Sequence, residues 1–116
     1  MFLKDTRPGF VVFSLLGDIY FDRELFSRAL ESYNSALELS SAHAPALFKK
    51  AWIYLVITED LEGGLSLLGA ALDAGHKDNA ALRALLAAPD LQFDKQVEDF
   101  LKNRNINWTE DPVKFP

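Results

Sequence analysis

The amino-acid sequence predicts an all-α fold of about six helices in antiparallel pairs, and three observations carry that expectation. Residue size recurs at an interval of 34: Tyr20 falls on Tyr54, Gly17 on Ala51, Ala29 on Gly63, Tyr33 on Leu67 and Ala36 on Ala70. Each pair keeps its size class, as expected if every copy is a helix pair whose small positions let neighbouring helices approach closely. Within each copy the apolar residues step by three and four, the period of a helix with one buried side. No segment carries a competing strand signal. One copy spans 10–43, the next 44–77, and a degenerate third occupies 78–104, all within one domain covering 1–104.

The first helix opens at Arg7-Pro8-Gly9, where Pro suits the first turn, and the polar run Asp22-Arg23-Glu24 closes it after Phe21. A second helix over about 25–39 is striped by Leu25, Phe26, Ala29, Leu30, Tyr33, Ala36 and Leu37. Ser40 to His43 forms a loop, Ala44-Pro45 restarts a helix to about Ile57, and Thr58-Glu59-Asp60 turns the chain. Leu61 to Ala74 is the fourth helix, with Gly75 as its left-handed cap. Gly63 and Gly64 inside it each cost about 1 kcal/mol relative to Ala, so close helix packing is the better reason for them. In the third copy Asp78 caps a helix from Asn79 to Ala87, and Pro89-Asp90 interrupts. Phe93, Val97, Phe100 and Leu101 stripe a last helix ending near Arg104. Residues 105–116 lack periodicity and carry Pro112 and Pro116, so they read as an extended tail with Trp108 and Phe115 as apolar anchors.

Composition narrows the function. A chain of 116 residues that is 49% hydrophobic and 25% charged can bury a core without staples. The absence of cysteine removes disulfides, thiolate zinc sites, iron–sulfur clusters and cysteine nucleophiles. A net charge of −5 disfavours nucleic acid and anionic membranes as partners. The most apolar stretch, Phe10 to Phe21, contains Asp18 and is shorter than the roughly 20 residues a bilayer span needs, so no membrane insertion is expected. Asp5 beside Lys4 and the lack of a nearby cleavage site argue against a signal peptide, leaving the cytoplasm as the expected compartment. Asn107-Trp108-Thr109 fits a glycosylation pattern that chance often produces.

The spacing of Phe13, Leu16, Gly17, Tyr20, Ala29, Tyr33 and Ala36 resembles the tetratricopeptide repeat, a helix–turn–helix unit of 34 residues. Ser41 stands where the family's closing Pro would be. The second copy matches through Leu47, Ala51, Tyr54, Gly63, Leu67 and Ala70, with Lys50 replacing the usual Leu, and the third keeps little beyond helical period. The resemblance covers 10–77 and implies a short right-handed superhelix whose first helices line a concave groove for a protein or peptide partner. On that reading the groove residues are Val11, Ser14, Asp18, Phe21 and Asp22 from the first helix, and Phe48, Lys49, Trp52, Leu55 and Val56 from the third. The family's carboxylate-holding sites need Lys, Arg and Asn. Here only Lys49, Asn79 and Arg83 are available, and Asp18 and Asp22 oppose such a ligand, so an apolar or basic segment is the better guest.

Phe21, Phe48 and Trp52 are the candidate anchors of that groove, unless the chain's own residues cover them. Beyond the expected core residues Phe13, Leu16, Gly17 and Tyr20, the first helix also carries Phe10, Val12, Leu15 and Ile19. A capping helix should be polar outside, so a second copy or an obligate partner is expected on this face, with Met1, Phe2 and Leu3 folding back as the alternative.

No catalytic, cofactor or metal site is expected. His43 and His76 fall in inter-repeat loops without clustered carboxylates. Gly64 and Gly69 have phosphate-loop spacing, but Ala70 and Ala71 stand where Lys and Ser/Thr must be. Acidic pairs such as Glu59-Asp60, Glu98-Asp99 and Glu110-Asp111 sit at turns or on polar faces. The expected function is a non-enzymatic interaction module or small subunit of an assembly. The alternatives are a small acidic chaperone holding an apolar client segment and, with least support, an enzyme.

Overall fold

The computed structural model describes residues 8–77, 79–88, 91 and 94–104. It is all-α, with six α-helices and no strand among the described residues. Contacts divide the chain between His76 and Lys77 into two compact units.

The first unit is two helix hairpins. Helix α1 (Gly9–Asp22) starts directly after Pro8, whose carbonyl accepts from the amides of Val11 and Val12 at 3.0 and 3.2 Å. It packs antiparallel on α2 (Phe26–Leu39). Their crossing is tight at Gly17, where an added Cβ would lie 2.6 Å from the Tyr33 ring. Helix α3 (Ala44–Trp52) continues without a break into a π-helical segment, Ile53–Ile57, and the chain then turns into α4 (Leu61–Asp73). The Asp60 side chain caps α4 by accepting from the Gly63 amide at 2.9 Å. Gly75, at φ +98, ends it as expected: its amide donates to Leu72 at 3.1 Å and that of His76 donates to Ala71 at 3.0 Å, the paired bonds of a Schellman turn. Ala29, Tyr33 and Ala36 of α2 join Ala46 and Ile53 in one fully buried cluster that ties the hairpins together.

The 34-residue register holds for the first helix of each hairpin and fails for the second. In the first hairpin the Leu25 amide reaches back five residues to the Tyr20 carbonyl (2.9 Å), whereas the matching bond in the second runs six residues, from Asp60 to Tyr54 (2.8 Å). Glu24 and Glu59, the two non-glycine residues with positive φ among the described residues, mark the same turn position and are 35 apart. The extra residue is absorbed in the wide π turn, which lets the helix carry one residue more without losing its hydrogen bonds. Gly63, Leu67 and Ala70, expected to match Ala29, Tyr33 and Ala36, are half-buried, half-buried and exposed, while Gly64, Leu68 and Ala71 are buried in their place. Close packing explains Gly64, because a Cβ there would lie 2.4 Å from the Leu55 side chain and 3.2 Å from its backbone nitrogen.

A second departure concerns α1. Phe13 and Leu16, expected in the core, are 38% and 37% exposed. Among the described residues only Ser14 and Gly17 of this helix are buried, since α1 turns that side toward the Tyr33 cluster.

The second unit contains α5 (Asn79–Leu86) and α6 (Lys95–Asn103). Asp94 caps α6, accepting from the amides of Gln96 and Val97 at 2.7 and 3.4 Å. Leu82, Leu85 and Leu86 of α5, Leu91, and Val97 and Leu101 of α6 are buried. The expected cap at Asp78, the break at Pro89-Asp90, Phe93 and the tail 105–116 lie outside the described residues.

Candidate interaction surfaces

The residues expected to line a groove separate into two groups. Ser14, Phe48 and Leu55 are 4%, 6% and 4% exposed, so they present no surface to a guest. Phe48 is covered by His76, whose ring stacks on it in parallel at 4.1 Å, and Leu55 lies against Gly64, where the π turn brings it onto α4. The remaining candidates Val11, Asp18, Phe21, Lys49, Trp52 and Val56 are half-buried, and Asp22 is exposed. Phe21 and Trp52 meet edge to face at 4.9 Å and share Phe26, which the sequence placed only in the helix stripe. The Lys49 ammonium sits 4.2 Å from the Phe21 ring centre, a cation–π contact that keeps the charge beside an apolar surface. This aromatic cluster is half covered by its own members and half open.

Asp18 is a structural group as well as a surface one. Its carboxylate accepts from the Tyr33 hydroxyl at 2.6 Å, a short charge-assisted bond. Burial pushes the Tyr33 phenol well above its ordinary range, and the bond to Asp18 and the negative charges of Asp18 and Asp22 push it further.

The outer side of α1 is the larger open feature. Val12, Phe13, Leu15, Leu16 and Ile19 are 37%, 38%, 39%, 37% and 51% exposed. At about 100° per residue, Val12, Leu15, Leu16 and Ile19 share the stripe opposite Phe10, Gly17 and Phe21. Phe10, expected on this outer face, instead packs on the core cluster and meets His43 edge to face at 5.0 Å, because it lies on the α2-facing side of the helix. Beside the stripe, Phe13, Leu16 and Tyr20 form the apolar wall of a cavity of about 510 Å³, whose opposite wall is Arg28, Glu31, Ser32 and Ser35 of α2. Apolar residues of α1 thus face polar residues of α2 across it. The candidate anchors Trp108 and Phe115, and the fold-back alternative at Met1, Phe2 and Leu3, lie outside the described residues.

Among the described residues no three His, Asp or Glu side chains come together as a metal site. His43 and His76 are engaged with aromatic rings instead, and the buried Nε2 of His76 has no hydrogen-bond partner. Burial lowers the His43 pKa, against a smaller opposing pull from Asp18. No helix among the described residues is long and apolar enough to cross a membrane. No protein-family model, curated protein or solved structure matches the chain.

Proposed function

We propose that this chain is a non-enzymatic protein–protein interaction module of the cytoplasm, built on tetratricopeptide-like helix hairpins, that binds an apolar partner segment on the outer side of α1. The observation that carries the reading is the run of five large apolar side chains on one helix, each more than a third exposed. Apolar area of this kind, contiguous along a helix, gains roughly 25 cal/mol per Å² when a partner removes it from water. The half-open Phe21–Trp52 cluster, on the other side of α1, offers a second and smaller contact surface.

Affinity capture with the purified chain tests the reading, followed by reconstitution with the recovered partner as a pure protein. Binding should fall at least tenfold with Leu15→Glu and with Ile19→Glu, and less with Trp52→Ala. Unchanged binding in both α1 variants, with thermal unfolding intact, would remove this surface from consideration. Light scattering of the chain alone identifies the case in which the partner is a second copy.

A further inference from the structure

We propose that the outer face of α1 receives one amphipathic helix of a partner protein, a helix that presents small, large and small residues at i, i+4 and i+7 as α2 does. The inference rests on the interaction reading above and deepens it. Its basis is the symmetry of the two hairpins, which hold a 34-residue register through α1 and α3.

Shifting α1 by that interval superimposes its exposed side on an interface the molecule already makes. Val12 falls on Ala46 and Ile19 on Ile53, both 0% exposed and both in the cluster that buries Ala29, Tyr33 and Ala36 of α2. Phe13 falls on Leu47, which is 6% exposed. Three apolar positions that the second hairpin buries, two of them against α2, are therefore apolar in α1 too, yet there they are 37%, 51% and 38% exposed for Val12, Ile19 and Phe13. The α2–α3 interface thus has an apolar counterpart on the outer side of α1, where Val12 and Ile19 stay more than a third exposed. What fills it in the second hairpin is a helix with Ala at i, Tyr at i+4 and Ala at i+7; the small residues admit the opposing helix and the large one fills the gap between.

The flanks define the occupant further. Leu15 and Leu16 stand where α3 has Lys49 and Lys50, whose ammoniums lie over the rings of Phe21 and Tyr54 at 4.2 and 5.8 Å. The α1 face lacks those charges, so its occupant meets leucine on the flank and carries an apolar stripe wider than that of α2. A second copy does not supply such a helix readily. Its own Ala29, Tyr33 and Ala36 are 0% exposed, and the outer stripe Gly63, Leu67, Ala70 of α4 is narrowed where Asp60 and Tyr54 close over Gly63.

The probe is a fluorescent, hydrocarbon-stapled peptide of residues 25–40 of this chain, titrated with the full chain and followed by anisotropy. Saturable binding is expected, weakened at least tenfold by Val12→Asp and by Ile19→Asp in the protein, and by Ala29→Glu with Ala36→Glu in the peptide. Both protein variants change exposed residues, and circular dichroism checks that they keep their helices. No saturable binding up to about 1 mM, or binding indifferent to Ile19→Asp, overturns the proposal. Self-association that is lost on Ile19→Asp also overturns it, in favour of a second copy. If partner capture depends on Ile19 while the peptide fails to bind, the interaction reading survives and the helical occupant does not.

Discussion

Replacing Gly17 with Ala in the middle of α1 should destabilise the protein, although helix propensity alone favours Ala there by about 1 kcal/mol. The structure reverses the sign. An added Cβ would lie 2.6, 2.7 and 3.0 Å from three atoms of the Tyr33 ring, well inside ordinary contact. The ring is 0% exposed, and its hydroxyl is held by Asp18 at 2.6 Å, so it has neither space nor freedom to withdraw. Overpacking of this kind costs about 1–3 kcal/mol, and a ring held at both ends puts the cost near the upper limit. Subtracting the propensity gain leaves a net loss of about 2 kcal/mol. If the ring swings away instead, the lost hydrogen bond to a carboxylate costs about 1.5–3 kcal/mol. At about 4 °C per kcal/mol for a chain of this size, the melting temperature should fall by about 8 °C. The second hairpin shows the compensation, because Ala51 and Leu68 stand at the places of Gly17 and Tyr33 and both are fully buried. The pair Gly17→Ala with Tyr33→Leu should accordingly be less destabilised than the sum of its single variants by at least about 1 kcal/mol. Urea and thermal unfolding of the four proteins by circular dichroism measure the cycle. A higher melting temperature for Gly17→Ala, or strict additivity, would refute the account of why α1 and α2 are this close.

Two pH effects and one deletion follow from the same geometry. Tyr33 has its pKa raised above the ordinary 10.0 by burial and by Asp18, so its stabilisation is complete below pH 10 and is lost as pH rises further. The unfolded chain then releases a proton that the folded one keeps, at about 1.4 kcal/mol per pH unit. Tyrosinate absorbance should show Tyr33 ionising only with unfolding, and a reversible titration lost in Tyr33→Phe would contradict this. For His43 the folded pKa lies below 6.5, so stability present above pH 6.5 should decline as pH falls toward the folded value. His43→Asn should flatten that part of the stability profile, and an unchanged slope would assign it to other groups. Deleting Ile57, which is 42% exposed, should convert the six-residue bridge from Asp60 to Tyr54 into the five-residue bridge of the first hairpin. Cooperative melting within about 4 °C of the parent is expected, whereas deleting the buried Leu47 should abolish it; equal damage from both would show that the π turn is not the site of the extra residue.

Much of this fold is legible in the residues because helix limits are set locally. Pro8 and Gly75 act through their own φ angles, and the polar turns at 22–24 and 58–60 interrupt apolar stripes that a reader can count. The capping role of Asp94 was open to the same reading, since it stands just before the last helix stripe. The candidate site was less legible. Phe48 and Leu55 have the size and spacing of binding anchors, but whether an aromatic is an anchor or part of the core depends on what lies above it, here His76 and α4.

Local residue patterns suffice to show that this protein is helical, where most helices start and stop, and that its first helix carries more apolar surface than one buried side uses. Hydrogen bonding within four residues and side-chain period suffice for those conclusions. The register of α4 and the faces that stay open depend instead on packing between helices. One extra residue at the π turn moves the inward positions of α4 on by one residue, about 100° around that helix. The packing of Leu55 on Gly64 and the burial of Leu68 and Ala71, not the local sequence, choose which side of α4 turns inward. In the same way α1 could bury either flank, and the small Gly17 against the fixed Tyr33 ring selects the one that leaves Val12, Leu15, Leu16 and Ile19 outside.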